Sequence, residues 1–121
     1  MEDYKNIRIS VEADSIIEKI QQKFGFTTKL SVMRFSLAYA LRDFRNEIDF
    51  EALDRLYEKN GTNLNVGSVD DQDMVLRTLI KTLFPLCETP YKYARVAIIY
   101  GLYKIRELMD ADDSFVITSI M

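Results

Sequence analysis

The sequence predicts a mainly α-helical fold: a compact bundle of about five helices preceded by a short N-terminal strand. Apolar residues recur at three- and four-residue spacing along most of the 121 residues, which is typical of amphipathic helices. Glycines and prolines stand where these periodic segments begin or end. Because the chain is too short for two full-sized domains, we predict a single domain over residues 1–121.

The first half of the chain predicts a strand and two helices. Residues 6–10 alternate polar and apolar side chains, as a half-exposed strand does. Ser10 is expected to cap a helix that ends at Gly25, and Thr28 to cap a second helix that continues to about Arg42. The second helix has apolar residues on two sides, which indicates a central helix or one shared between subunits.

A shorter helix and a loop follow. Asp49 is the expected N-cap of the short helix, and residues 61–69 are predicted to be a loop. Ser68 and Asp71 have the spacing of a capping box, which predicts that the next helix begins there and ends before Pro85.

The last helix is predicted to begin at Thr89 and Pro90 and to reach Met109, since threonine is a common N-cap and proline is common at the first helical position. Beyond it, residues 110–121 are expected to be a flexible tail. Their β-prone part, residues 115–120, has the alternative of pairing with another strand.

The composition excludes several classes of enzyme. Histidine is absent and Cys87 is the only cysteine, so the chain has no His-based acid–base catalysis, no Cys–His dyad, no ordinary zinc site and no internal disulfide. The segment 61–67 lacks the Gly-Lys-Ser/Thr of a phosphate-binding loop. We therefore predict a non-enzymatic binding protein that uses no cofactor and no metal.

The N-terminus and the hydropathy pattern predict where the protein acts. The opening residues are acidic and lack the layout of a secretory signal, and no apolar run is long enough to cross a membrane. These features predict a cytoplasmic protein without membrane contact.

Charge is distributed unevenly along a chain whose net charge is -3. Residues 47–73 hold two basic against eight acidic residues, whereas residues 74–106 hold six basic residues against Glu88 alone. Such a chain can carry a basic face, although it is not a strongly cationic nucleic-acid binder. The basic residues of the last helix form one candidate cluster: Lys92, Arg95, Lys104 and Arg106.

Two further groups of residues have alternative interpretations. Asp70, Asp71 and Asp73 have the chemistry to bind a divalent cation, but they equally suit the positive end of a helix dipole, which we favour. The tyrosines of the last helix have the chemistry to stack on bases of single-stranded nucleic acid. Their helical spacing among apolar residues favours the core or an interface.

The strand–helix–turn–helix order of residues 5–43 resembles the ribbon-helix-helix DNA-binding architecture. In that architecture two chains pair their strands, and the polar side chains of the strands enter the major groove. The resemblance implies that Lys5, Arg8 and Ser10 project toward the bases.

A second resemblance covers more of the chain. An I-R-I-S segment is followed by a helix, an F-G-F-T turn and a helix that bears an arginine, and later by a G-T-N-L-N segment, a leucine-rich helix and a late glycine. These features lie at Ile7–Ser10, Phe24–Thr27, Arg34, Gly61–Asn65, Leu76–Phe84 and Gly101. In this order they resemble the DndE family of DNA sulfur-modification proteins.

The DndE-like resemblance implies a small, all-helical, oligomeric accessory protein of DNA phosphorothioation or a related phage-defence system. Such a protein binds DNA, works with other proteins of a DNA-modification complex and has no catalysis of its own. Around the Gly25 turn, where the resemblance is best, we predict phosphate contacts by four residues: Lys19, Lys23, Lys29 and Arg34.

Two alternative functions remain open from the sequence. The first is a transcription regulator or antitoxin of the ribbon-helix-helix type. The second is a protein–protein adaptor that does not bind nucleic acid, in which these basic residues are a solvated surface. Self-association is expected in addition, because the second and last helices each carry broad apolar surfaces.

Overall fold

Helices build most of the molecule, which confirms the predicted fold class. A computed structural model describes residues 2–70 and 73–121. The elements of this part of the chain are, in order, β1 (Asn6–Arg8), α1 (Val11–Phe24), α2 (Lys29–Asp43), α3 (Phe50–Leu56), β2 (Asn63–Asn65), α4 (Val66–Val69), α5 (Val75–Leu83), α6 (Pro90–Ala111) and a terminal 3-10 turn (Ile117–Ile120).

The long helix α6 is the centre of the fold. It packs against α1, α2, α3, α5 and β1, and its closest neighbour is α2. A methyl group added at Gly101 of α6 would lie 2.1 Å from the backbone oxygen of Ser36 in α2. Only a glycine at this position lets the two backbones approach so closely.

Local capping rules account for the ends of the first helices, as predicted. The hydroxyl of Ser10 accepts a hydrogen bond from the backbone N–H of Ala13, at 3.0 Å, and Thr28 caps α2 in the same way. Gly25 ends α1 with φ of 76°, in the left-handed region that glycine adopts without a steric penalty. The carboxylate of Asp49 caps α3.

The loop predicted for residues 61–69 is wrong. Residues 63–65 form β2, which pairs antiparallel with β1 of the same chain, and residues 66–69 form the short helix α4. β2 forms because its backbone supplies hydrogen-bond partners for the N–H and C=O groups along one edge of β1. The side chain of Asn65 then caps α4 by accepting from the N–H of Gly67.

The helix expected from Ser68 begins later than predicted. Ser68 itself lies in α4, and α5 starts at Val75. The proposed capping partner Asp71 lies outside the described residues. Asp70 accepts hydrogen bonds from the backbone N–H groups of Leu76 and Arg77, at 3.0 and 3.1 Å, and so serves the first turn of α5.

The start of α6 is stabilised from the opposite end of the chain. Thr89 precedes Pro90 as predicted, but its side chain makes no capping hydrogen bond. Instead, the carboxylate of Asp3 accepts hydrogen bonds from the N–H groups of Tyr91 and Lys92, at 2.9 and 3.1 Å. This long-range cap fixes the N-terminal segment against the central helix.

The C-terminal segment, expected to be flexible or to form a strand, makes a 3-10 turn on the helical core. The ring of Phe115 meets that of Phe24 edge to face, and Ile117 is buried. The guanidinium of Arg42 donates to the backbone oxygen of Ile120. Strand pairing is absent from this segment because its backbone turns back onto α1 and α2.

Replacing Gly101 by alanine tests the contact between α2 and α6. Alanine favours a helix by about 1 kcal/mol over glycine, but the added methyl group would collide with the backbone of Ser36. Overpacking of this kind typically costs about 1–3 kcal/mol. We expect a lower free energy of unfolding in urea denaturation.

Gly67→Ala is the matched control, since a methyl group there meets only the flexible side chain of Asn65, at 3.1 Å. A Gly101→Ala variant at least as stable as the natural protein would contradict the close approach of the two helices.

Candidate nucleic-acid interface

The two strands form a small antiparallel ribbon with one polar and one apolar face. We call residues 5–9 with 61–66 the β-ribbon, because backbone hydrogen bonds extend the pairing from Lys5–Val66 to Ile9–Thr62. Asn6 lies opposite Asn65 and Arg8 opposite Asn63, and these four side chains are exposed. The other face, centred on Ile7, packs into the core.

Below the β-ribbon lies a completely buried arginine, Arg95 of α6. Its Nε donates to the backbone oxygen of Arg8 at 2.6 Å, and its Nη2 donates to the backbone oxygens of Tyr57 and Glu58. Its Nη1 donates to both the backbone and the carboxylate of Asp54, at 3.3 and 2.9 Å. All five N–H groups of the guanidinium therefore have acceptors.

Asp54 completes this buried network. While one of its oxygens accepts from Arg95, the other accepts from the hydroxyl of Tyr4 at 2.5 Å, and the ammonium group of Lys59 lies 3.9 Å away. The network therefore joins β1, the C-terminal end of α3 and the central helix.

The predicted residues of α1 lie on an exposed helical face. Lys19 and Lys23 are four positions apart, which places them on the same side of α1. The ammonium group of Lys23 lies over the ring of Phe24 and donates to the backbone oxygen of Asp113 at 3.4 Å. Lys23 therefore adjoins the acidic C-terminal segment.

The predicted residues of α2 lie beside the segment that contains β2 and α4. The Lys29 ammonium group is 3.6 Å from a carboxylate oxygen of Asp14 and 3.5 Å from the hydroxyl of Thr62, at one end of the β-ribbon. The guanidinium of Arg34 donates to the backbone oxygen of Val69 at 3.2 Å. The four predicted residues thus contact different parts of the chain, and Lys29 alone among them contacts the β-ribbon.

The basic residues of α6 are buried or form ion pairs within the chain. Arg95 is buried, and the Lys92 side chain is only 12% exposed and lies 3.4 Å from Glu51. The guanidinium of Arg106 pairs with Glu12 at 2.6 Å, an interaction that lowers the pKa of the Glu12 carboxyl. Lys104 pairs with Glu107, so the candidate cluster of the last helix is largely neutralised within the molecule.

Of the acidic residues after α4, Asp70 has a structural role. Besides the N–H groups of α5, Asp70 accepts from the hydroxyl of Tyr91, at 2.8 Å. Burial and this hydrogen bond to a carboxylate raise the pKa of Tyr91 to about 12. Across residues 2–70 and 73–121, no group of three or more acidic or cysteine side chains has the spacing to hold a metal ion.

The tyrosines of α6 pack mainly among other rings. Tyr93 stacks on Phe50 with ring centroids 4.2 Å apart, and Tyr103 meets Tyr57 edge to face. Burial raises the pKa of Tyr57, Tyr93 and Tyr103 above the usual value. These rings support the core, as the favoured interpretation of the sequence predicts.

An apolar groove of about 370 Å³ lies between α2, α5 and α6, beside Arg34. Its walls include Leu37, Ile98 and the α5 residues Val75 and Leu79, which remain 59% and 41% exposed. The sequence predicts a leucine-rich helix here but does not predict which of its apolar side chains stay exposed.

The sequence does not identify the exposed asparagines of β2 as part of the candidate interface. The predicted loop includes Asn63 and Asn65, although the Asn-Leu-Asn alternation around Leu64 is typical of a half-buried strand. Three residues give too short a signal to distinguish a strand from a loop.

Comparisons with protein-family models, curated proteins and solved structures find no match to this chain. In the part of the chain that the structure describes, no helix has the length and apolar character needed to cross a membrane.

Replacing Arg95 tests the buried network. Arg95→Ala would leave the Asp54 carboxylate and the oxygens of Arg8 and Tyr57 without their buried donor. Breaking a buried ion pair from one side typically costs about 3–5 kcal/mol. We expect a loss of stability of this size in urea denaturation, or failure to fold.

Arg55→Ala is the control, because Arg55 is an exposed arginine on α3 and its removal should change stability by less than about 0.5 kcal/mol. Equal stabilities of the two variants would refute the structural role of Arg95.

Proposed function

We propose that this chain is a non-enzymatic accessory protein that binds DNA, in a cytoplasmic DNA sulfur-modification or related phage-defence system. The resemblance of its sequence motifs to the DndE family suggests the system. The distribution of basic side chains supports the binding activity. Lys19, Lys23 and Arg34 are exposed and the Lys29 side chain is 42% exposed, so solvent and a ligand can reach them.

The proposal rests on the different surroundings of the basic residues of α6 and of those around the Gly25 turn. The basic residues of α6 are buried or paired with carboxylates, and so have little charge left for a ligand. Around the Gly25 turn, Lys29 lies 3.6 Å from Asp14, but Lys19, Lys23 and Arg34 make no ion pair within the described residues and retain the access to solvent that a phosphate contact requires. Their contribution to binding would be sequence-independent and sensitive to salt, because it arises from the release of counterions.

The pairing of β1 bears on the ribbon-helix-helix alternative. That architecture pairs β1 with the same strand of a second chain, whereas here β1 pairs with β2 of its own chain. A transcription regulator or antitoxin of that type therefore has no support from the strand pairing, and we do not favour it.

The apolar surface of α5 favours a second activity, binding to protein. Val75 and Leu79 are exposed on one side of a helix and border the groove beside Arg34. The apolar residues of α2 and α6 that predicted self-association are mostly buried within the chain. We therefore place the proposed homo-oligomer contact on α5, with a second copy of the chain as its occupant.

The proposal assigns no catalytic step to this chain. Its composition lacks histidine, and burial raises the pKa of Tyr91, Tyr93, Tyr103 and Cys87, so these groups stay protonated near neutral pH. Any chemistry on DNA would then belong to partner proteins of the modification complex.

The salt dependence of DNA binding tests the phosphate contacts. The double variant Lys23→Ala, Lys29→Ala removes two of the four proposed contacts. Each lost contact lowers the slope of log affinity against log salt by about 0.9 for duplex DNA, so the slope should fall by up to about two. Fluorescence anisotropy with a labelled duplex, from about 50 to 200 mM salt, provides the measurement.

The control variant Lys59→Ala, Lys104→Ala removes the same net charge elsewhere on the surface. It should leave the slope almost unchanged. Absence of DNA binding near 50 mM salt, or equal slopes for both double variants, would refute the proposed contacts and leave the adaptor as the better function.

Sedimentation tests self-association through α5. We expect the natural protein to exceed 14.1 kDa at micromolar concentration, and the variant Val75→Ser, Leu79→Ser to sediment as the monomer, because it loses the exposed apolar surface. The variant Val11→Ser, Leu56→Ser removes a valine and a leucine elsewhere that are 57% and 71% exposed. It should remain associated, and a monomeric natural protein would contradict the proposal.

A further inference from the structure

We propose that the polar face of the β-ribbon enters the major groove of duplex DNA and contacts base edges. This inference rests on the proposed DNA-binding function and adds to it a source of sequence preference. The face consists of Asn6, Arg8, Asn63 and Asn65, all exposed.

The strand register brings these side chains together on one face. Backbone hydrogen bonds join residues 5 with 66 and 9 with 62, and residues 7 and 64 lie opposite each other between them. The pairs Asn6–Asn65 and Arg8–Asn63 therefore occupy the intervening positions without hydrogen bonds, where side chains approach most closely. The amide pair Asn6–Asn65 and the guanidinium–amide pair Arg8–Asn63 therefore lie next to each other along the β-ribbon.

The chemistry of this face complements base edges. The major groove is about 12 Å wide and accepts a two-stranded ribbon, whose strands are about 4.8 Å apart. An asparagine amide can donate to and accept from adenine, and an arginine can donate twice to guanine. The face holds no carboxylate, so nothing on it repels the phosphates on either side of the groove.

Two of the four side chains already form a hydrogen bond within the protein. The Nε of Arg8 donates to the backbone oxygen of Gly61 at 3.2 Å, and the Oδ1 of Asn65 accepts from Gly67. The first bond orients the guanidinium on the ribbon surface, and its terminal nitrogens make no bond within the described residues. Arg8, Asn63 and Asn6 are therefore the main candidates for base contacts.

The core holds the β-ribbon in place before any ligand binds. Ile7 and Ile9 are completely buried, and the buried Arg95 donates to the backbone carbonyl of Arg8 on the edge of β1 that faces away from β2. Such a preorganised surface loses little conformational entropy on binding. One chain supplies both strands, so this ribbon does not depend on a second copy.

The β-ribbon adjoins the proposed phosphate contacts. Lys5 is exposed where β1 begins, and Lys29 lies 3.5 Å from Thr62, next to β2. Phosphate contacts and base contacts are assigned to different residues, since the alternation of strand side chains groups positions 5 and 62 with Ile7, on the side opposite Asn6 and Arg8.

The test uses selection from a randomised duplex library, followed by affinity measurements at fixed salt. We expect the full chain to bind the enriched duplex at least about fivefold more tightly than a scrambled duplex, since a good base contact discriminates by about 1–3 kcal/mol. The variant Arg8→Ala, Asn63→Ala should reduce this ratio to about one, and Asn6→Ala should reduce it in part.

The matched control is Arg55→Ala, Asn46→Ala, which also removes one exposed arginine and one exposed asparagine. It should preserve the ratio. Because all five altered side chains are exposed, circular dichroism and urea midpoints should show that the variants fold.

The outcomes separate this inference from the proposed function. If the chain binds DNA without preference, or if the ribbon variant keeps the preference, base contact by the β-ribbon is wrong while DNA binding stands. If the control loses the preference as fully as the ribbon variant, the β-ribbon has no special role. If no duplex is bound near 50 mM salt, the proposed DNA-binding function fails together with this inference.

Discussion

The buried guanidinium of Arg95 is the interaction on which the rest of this structure depends. Removing an arginine from water is costly, and only a full set of acceptors offsets that cost. Those acceptors come from two segments far apart in sequence: Arg8 of β1, and the end of α3 with the residues that follow it, which supply Asp54, Tyr57 and Glu58. Each of them must therefore be positioned against α6 before the network is complete.

This constraint links the core to the surface. Arg95 uses the carbonyl of Arg8 that points away from β2, while the pairing with β2 uses the other edge of β1. The Arg8 carbonyl on the outer edge of this three-residue strand thus has a donor, and a ribbon of this size is only marginally stable by itself. The Arg8 backbone is held inside the protein, and its side chain is consequently displayed on the opposite side.

The sequence predicts the parts of the fold that local rules determine. Ser10, Gly25 and Thr28 identify the ends of helices because caps act within a few residues. It does not predict β2, the Asp3 cap on α6 or the role of Arg95, because each depends on residues distant in the chain. For the candidate site, exposure of Lys19 and Lys23 follows from helical periodicity, whereas the contact of Lys29 with the β-ribbon requires the tertiary fold.

A net charge of -3 is compatible with the proposed DNA-binding surface because several carboxylates form ion pairs elsewhere in the molecule. Glu12, Glu51 and Glu107 each pair with a basic residue of α6, which neutralises both partners locally. Charges more than about 8 Å apart are largely screened at physiological salt. In the proposed complex, distant carboxylates would repel DNA weakly, and the side chains next to the major groove would dominate the interaction. At low salt, repulsion between the distant carboxylates and DNA acts over a longer range. Counterion release favours binding most under the same conditions, so the negative net charge offsets part of that gain in affinity.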